Sequence, residues 1–127
     1  MLGNTLNTAG RILLALYFLL PGIMKFVSWE AHIGLMEKHG MPMVSVLLAL
    51  AGVIQIGASI CLLLNRYVLA CALGLAMMTL LININLHDFW NYSGLEAAHE
   101  TQNFVKNLGI FAGLLLLASI GYNKQQP

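Results

Sequence analysis

The chain has 127 residues, 59% of them hydrophobic and only 9% charged, with a formal net charge of +1 and a mean hydropathy of +0.79. An average soluble domain is roughly 45–50% apolar and about 25% charged, and a small globule needs polar residues to cover its large surface. Six basic and five acidic residues do not supply that cover, so the composition excludes a soluble globule, a disordered chain, a collagen and a disulfide-stapled module. No basic run provides an electrostatic footprint for nucleic acid. The solvent is a lipid bilayer, which is also the first partner.

Runs free of charge and histidine locate the spans: Ile12–Met24, Gly40–Asn65, Tyr67–Leu86 and Asn107–Asn123. A helix needs about 20 apolar residues to cross roughly 30 Å of hydrocarbon. The first run is short, but Lys25 can snorkel and Phe26–Val27 extend it. The spans are therefore expected at about 10–28, 43–64, 66–86 and 104–122. Together they form a single all-α unit, an integral membrane antiparallel four-helix bundle.

In the first span, Pro21 frees a carbonyl that needs a partner inside the bundle. This segment also resembles a signal peptide with Arg11 before an apolar run. No small-x-small cleavage site follows Pro21-Gly22-Ile23-Met24-Lys25, so a permanent helix is expected. The loop Ser28–Met41 mixes Trp29, Ile33, Leu35 and Met36 with charged residues and reads as a short interfacial helix. Gly40 ends it and Pro42 opens the second span. A tight Asn65-Arg66 turn joins the second and third spans, and His87–Asn103 is read as a loop.

Four spans put both termini on one side, with Arg11, Arg66 and Lys124 and no acid. The other side holds Lys25, Lys38 and Lys106 and all five acids. Lys25 and Lys106 sit at span ends, so the loop cations favour cytoplasmic termini. Trp29 and Trp90 fall at the outer interface, with Tyr67 and Tyr122 at the inner one, as aromatic belts require.

Each span carries a stripe of small or polar residues, as helix packing in lipid requires. These are Tyr17, Pro21 and Lys25; Gly52, Gln55 and Ser59; Ala76, Thr79, Asn83 and His87; and Gln102, Lys106, Gly109 and Gly113. For most of them ordinary packing is a sufficient role, and a buried amide such as Gln55 is accounted for by a bond to a neighbouring helix. The ionisable residues carry a different expectation. Lys25, His87, Asp88 and Lys106 lie at one depth on three spans, among Trp90, Gln102, Asn103 and Asn107. Ionisable groups within membrane segments usually face the bundle interior or a hydrated cavity. They form a polar mouth suited to a ligand with carbonyl or anionic oxygens, with Gln55 deeper within binding reach. The competing reading is two snorkelling lysines, one neutralised by Asp88.

Cys61 and Cys71 lie near the cytoplasmic ends of their spans and read as small buried thiols. Four histidines without i, i+3 or i, i+4 pairing give no expected metal site and no bis-histidine haem site. No nucleotide-binding or nucleophile-elbow motif is present.

Gly10-Arg11-Ile12-Leu13-Leu14-Ala15-Leu16-Tyr17-Phe18 running into Pro21-Gly22-Ile23-Met24-Lys25-Phe26 resembles the opening of DoxX family membrane proteins. Gly40-Met41-Pro42, the Asn65-Arg66 turn, His87-Asp88-Phe89-Trp90 and Gln102-Asn103-Phe104-Val105-Lys106-Asn107 fit the same order and spacing. The resemblance implies a bacterial inner-membrane protein in which Lys25, His87 and Lys106 matter, and a Glu in many relatives where this chain has Gln55. It also implies a quinone-linked setting, with the chain as a small membrane subunit of an oxidoreductase assembly rather than a self-sufficient enzyme. No cofactor other than a quinone is suggested. The alternatives are a non-catalytic structural or stress-resistance protein, and a small transporter subunit that would need homo-oligomerisation to enclose a pore.

Overall fold

The computed structural model describes residues 1–125; the last two residues of the unit expected from the sequence lie outside the described residues. The elements are α1 (Leu2–Val27), α2 (Trp29–Lys38), α3 (Val44–Leu63), α4 (Val68–Leu86), a 3-10 turn at Phe89–Asn91, and α5 (Gly94–Gln125). No strand occurs among the described residues. Four of the helices are long and apolar enough to cross a membrane. The protein is an all-α, multi-pass membrane protein with α2 as the short helix of the first loop, and the end of the bundle opposite the termini is termed the outer end.

Two helices start earlier than their apolar runs. The first has 26 residues and the last 32, so at 1.5 Å per residue they reach about 39 and 48 Å, well beyond the hydrocarbon. The early part of α1 contains Asn4, Thr5, Asn7 and Thr8 but no proline to stop it. In α5 the stretch Leu95–Asn103, read from sequence as loop, is helical because Glu96, Ala97, Ala98 and Glu100 are good helix formers. Its start is set by Gly94, whose φ of 63° lies in the left-handed region open to glycine. Hydropathy marks where lipid begins, and these helices end elsewhere.

The helices pack in sequence, α1 on α3, α3 on α4, and α4 on α5. The closing side, α1 against α5, has little backbone contact and forms a seam. Side chains fill that seam through its middle. There Ala15 and Phe18 of α1 meet Leu62 of α3, Leu75 of α4, and Leu114 and Leu117 of α5 in one buried cluster. The rest of the surface is covered by exposed apolar side chains such as Leu13, Leu50, Val53, Leu81 and Leu116. Lipid as solvent permits this where water would not.

Close approach of α1 and α3 depends on Gly52. A Cβ there would stand 2.5 Å from the Phe26 ring, and that ring stacks on Trp29 at the start of α2 with centroids 6.0 Å apart. One missing side chain therefore lets α1, α2 and α3 meet at the outer end. The α3–α4 turn is tight, as expected, and passes through two left-handed residues, Asn65 and Tyr67, with φ of 57° and 53°.

The buried faces match the sequence stripes in two helices and depart from them in two. Gly52, Gln55 and Ser59 of α3 are all buried, as are Ala76, Thr79 and Asn83 of α4. In α1 the buried residues are Arg11, Ala15, Phe18 and Gly22, so Tyr17, Pro21 and Lys25 lie on a flank. In α5 Gly109 and Gly113 have no atom within 4 Å of a hypothetical Cβ, while Leu114, Leu117 and Ala118 are buried. The reason is volume. Opposite α5 stand the small Ala15, Ala72 and Ala76, and leucines rather than glycines fill the space they leave.

Candidate functional site

The unfilled outer part of the α1–α5 seam is a cleft of about 290 Å³, lined from all four spanning helices. The first helix contributes Tyr17, Phe18, Pro21 and Lys25; α3 contributes Gln55; α4 and its end contribute Thr79, Ile82 and His87; α5 contributes Asn103, Lys106 and Asn107. Lys25, Gln55, His87 and Lys106, four of the residues singled out in the sequence, thus line one space. The flank of α1 that carries Tyr17, Pro21 and Lys25 does so because it adjoins the core face.

The floor is held by bonds from side chains to backbone. The Gln55 side chain is 3% exposed and its Nε2 donates to the Phe18 carbonyl at 2.7 Å. That carbonyl is the neighbour of the Tyr17 carbonyl, the one Pro21 deprives of its helical donor. Helix α1 remains continuous through Pro21, and Gln55 ties this weakened turn to α3. Since a carbonyl only accepts, the bond orients the amide and leaves Oε1 without a partner among the described residues. Ser59 donates to the Gln55 carbonyl at 2.6 Å and Thr79 to the Leu75 carbonyl at 2.8 Å. On the α4–α5 side, Asn83 donates to the Phe104 carbonyl at 3.0 Å.

The mouth is ionic. His87 Nδ1 stands 2.8 Å from Glu100 Oε2, with both side chains about a quarter exposed. A carboxylate accepts, so Nδ1 carries the proton, and Nε2 is the imidazole atom left for a further contact. Lys25 is half-buried and Lys106 exposed. Neither makes an ion pair among the described residues. The cleft therefore presents two ammonium groups, an imidazole edge, the Tyr17 hydroxyl and two asparagine amides above an apolar wall of Phe18, Pro21 and Ile82. Such a lining can hold a small headgroup with carbonyl or anionic oxygens and let an apolar tail leave through the seam.

The other singled-out residues lie outside this cleft. Asp88 is engaged in the outer loops, where its Oδ2 accepts from Asn91 at 2.7 Å and its Oδ1 lies 3.4 Å from His39 Nε2. It faces a histidine of the α2 end rather than a lysine. Tyr92 reaches the same His39 nitrogen at 3.1 Å, so this cluster clamps the end of α2 to the 3-10 turn. Trp90 packs edge-on to Phe89 and Phe104 and is otherwise exposed, in keeping with an interfacial aromatic. Gln102 is exposed. It lies one helical turn before Lys106 and is not part of the cleft lining.

Two participants were not singled out for these roles. Glu100 was read only as a loop acid, and its partner is thirteen residues away. Arg11 enters the sequence reading only as a cation of the terminal side, and it is buried. Its Nη1 donates to the carbonyls of Leu62 and Leu63, capping the end of α3 with positive charge. No local pattern announces either contact. Among the described residues no three metal-ligating side chains converge.

The comparisons with known proteins concern this same framework. The DoxX family model matches residues 6–88, which include Lys25, Gln55 and His87 but stop before Lys106. The chain is similar to the inner membrane protein YphA of Escherichia coli (strain K12), at 28% identity over 111 residues that cover 87% of this chain and 79% of that protein. No solved structure matches it. A family model that spans the first three membrane helices and eight of the eleven cleft residues places the conclusion beyond composition alone: this chain belongs to the DoxX family.

Proposed function

We propose that this protein is a small inner-membrane subunit that holds a quinone headgroup in the outer cleft and presents it to an oxidoreductase partner. The observation that supports the reading is the convergence of Lys25, His87 and Lys106 on one cleft at the open end of the α1–α5 seam. A quinone has a polar ring and an apolar tail, and the cleft pairs hydrogen-bond donors with an exit toward lipid. When bound, the quinone supplies the two-electron redox chemistry. The residues of this chain would supply orientation, the ammonium groups and the imidazole edge as donors for the ring oxygens and Phe18 and Ile82 as apolar wall.

The same reading assigns the termini to the cytoplasm. Arg11, Arg66 and Lys124 lie at the terminal end, and α2, the 3-10 turn and the start of α5 carry the acids at the other. A cysteine introduced as Glu96→Cys in a variant lacking Cys61 and Cys71 should react with a membrane-impermeant maleimide added from the periplasmic side. Reaction only after the membrane is breached would reverse the orientation.

The structural reading has one observation in its favour, namely that Gln55 and Asn83 bond backbone carbonyls of neighbouring helices. It does not account for two unpaired lysines in one cleft. Extraction of the detergent-purified protein should yield ubiquinone or menaquinone at close to one per chain, and a Lys25→Ala/Lys106→Ala variant should lose it. Wild-type protein that carries neither quinone nor a stable protein partner would leave the structural reading in place.

A further inference from the structure

At the opposite end of the α1–α5 seam lies a second cleft, of about 180 Å³, between the start of α1, the α3–α4 turn and the end of α5. We infer that it binds the phosphate of an anionic phospholipid from the leaflet on the terminal side, with Arg11 and Lys124 as the cationic contacts. This does not depend on the quinone reading, since the two clefts share no lining residue.

The charge balance points to an anion. Arg11 is 8% exposed, and only its Nη1 makes hydrogen bonds among the described residues, both to the carbonyls ending α3. Those neutral acceptors satisfy one nitrogen and leave the guanidinium without a carboxylate. A buried cation without a counter-charge is costly. Lys124 lines the same cleft, Arg66 lies in the adjoining turn, and every acid in the chain belongs to the outer elements.

Backbone geometry adds donors. The first turn of α4 has no side-chain cap, so its N–H groups and the positive end of the helix dipole lie beside the cleft. Gly121 brings α5 so close that a Cβ would stand 2.9 Å from the Leu69 nitrogen. The amides of Asn7 and Asn65 line the opening.

The remaining lining favours a lipid over a free anion. Val68, Leu117 and Ile120 make one wall apolar, and the helices beside it present exposed apolar side chains to the bilayer. A phosphodiester with acyl chains matches a cationic rim continuous with an apolar wall, and basic pockets between membrane helices bind anionic headgroups in this way. Inorganic phosphate would leave the wall unused.

Native mass spectrometry of delipidated protein, titrated with phosphatidylglycerol or phosphatidylcholine, tests the site. The wild-type protein should retain one phosphatidylglycerol with about tenfold preference over phosphatidylcholine. Removing a cation near the surface should cut that preference about fivefold in Lys124→Gln. The Arg11→Gln variant should lose the preference altogether, while Arg11→Lys keeps part of it. Lys124 is exposed, so its variant stays informative even if Arg11→Gln does not fold. Equal retention of the two lipids, or a preference unchanged in Lys124→Gln, would overturn the inference. Displacement of phosphatidylglycerol by millimolar inorganic phosphate would overturn the lipid assignment.

Discussion

The two ends of the α1–α5 seam handle charge in opposite ways. At the outer end two of the five acids face histidines, Glu100 beside His87 and Asp88 beside His39, and two lysines without an ion pair stand around a cleft. At the terminal end no acid is present, and the buried cation Arg11 is turned onto the carbonyls of α3 instead. Between them the leucine and alanine cluster closes the seam. Where charge is neutralised by side chains, spare donors remain to hold a ligand. Where it is neutralised by backbone, the charge serves the fold first and is only partly compensated.

That contrast orders the consequences of substitution, each measurable by denaturant unfolding in detergent. The largest loss is expected for Gly52→Ala, because its Cβ would overlap the Phe26 ring that joins α1, α2 and α3. Overpacking there should cost about 2–3 kcal/mol. It should also loosen the outer end first, seen as faster amide exchange in α2 than at the α3–α4 turn. Arg11→Met should cost about 1–2 kcal/mol at the other end, where the Leu63 carbonyl is left without a donor while the Leu62 carbonyl keeps the Asn65 N–H. A cost below that of a surface substitution would show that the α3 end does not need its cation.

Smaller effects separate packing from binding. Gln55→Leu removes the bond to the Phe18 carbonyl together with an unpartnered oxygen, so the net loss should be about 1 kcal/mol or less. Glu100→Ala removes the His87 partner, both members being partly exposed, at a cost of about 0.5 kcal/mol. Its quinone content should fall further than its stability, because His87 loses the partner that orients it. Equal quinone content in Glu100→Ala and wild type would remove His87 from the site.

The spans and the interfacial helix follow from composition along the chain, because lipid imposes a length and a polarity that any sequence must show. Helices α3 and α4 also revealed their faces, since Gln55, Ser59, Thr79 and Asn83 are polar among apolar neighbours and have to turn inward. The faces of α1 and α5 were not legible in the same way. In a helix that is apolar all round, leucine and glycine are equally acceptable to lipid. The direction is then chosen by the volume left between partners, which exists only once the helices have met. Lys25, His87 and Lys106 could be grouped by depth alone, whereas the roles of Asp88, Glu100 and Arg11 depend on contacts between segments distant in the chain. Gln102 shares a face with Lys106 but lies one turn beyond the cleft lining.

The account rests on a ligand in the outer cleft, and a photoreactive quinone tests this most directly. After irradiation in membranes, peptide mapping should find the label concentrated on α1 around Lys25 and on α5 around Lys106, and competed away by unlabelled quinone. Label spread over lipid-facing positions such as Leu13, Leu81 and Leu116, and unaffected by competitor, would contradict the account.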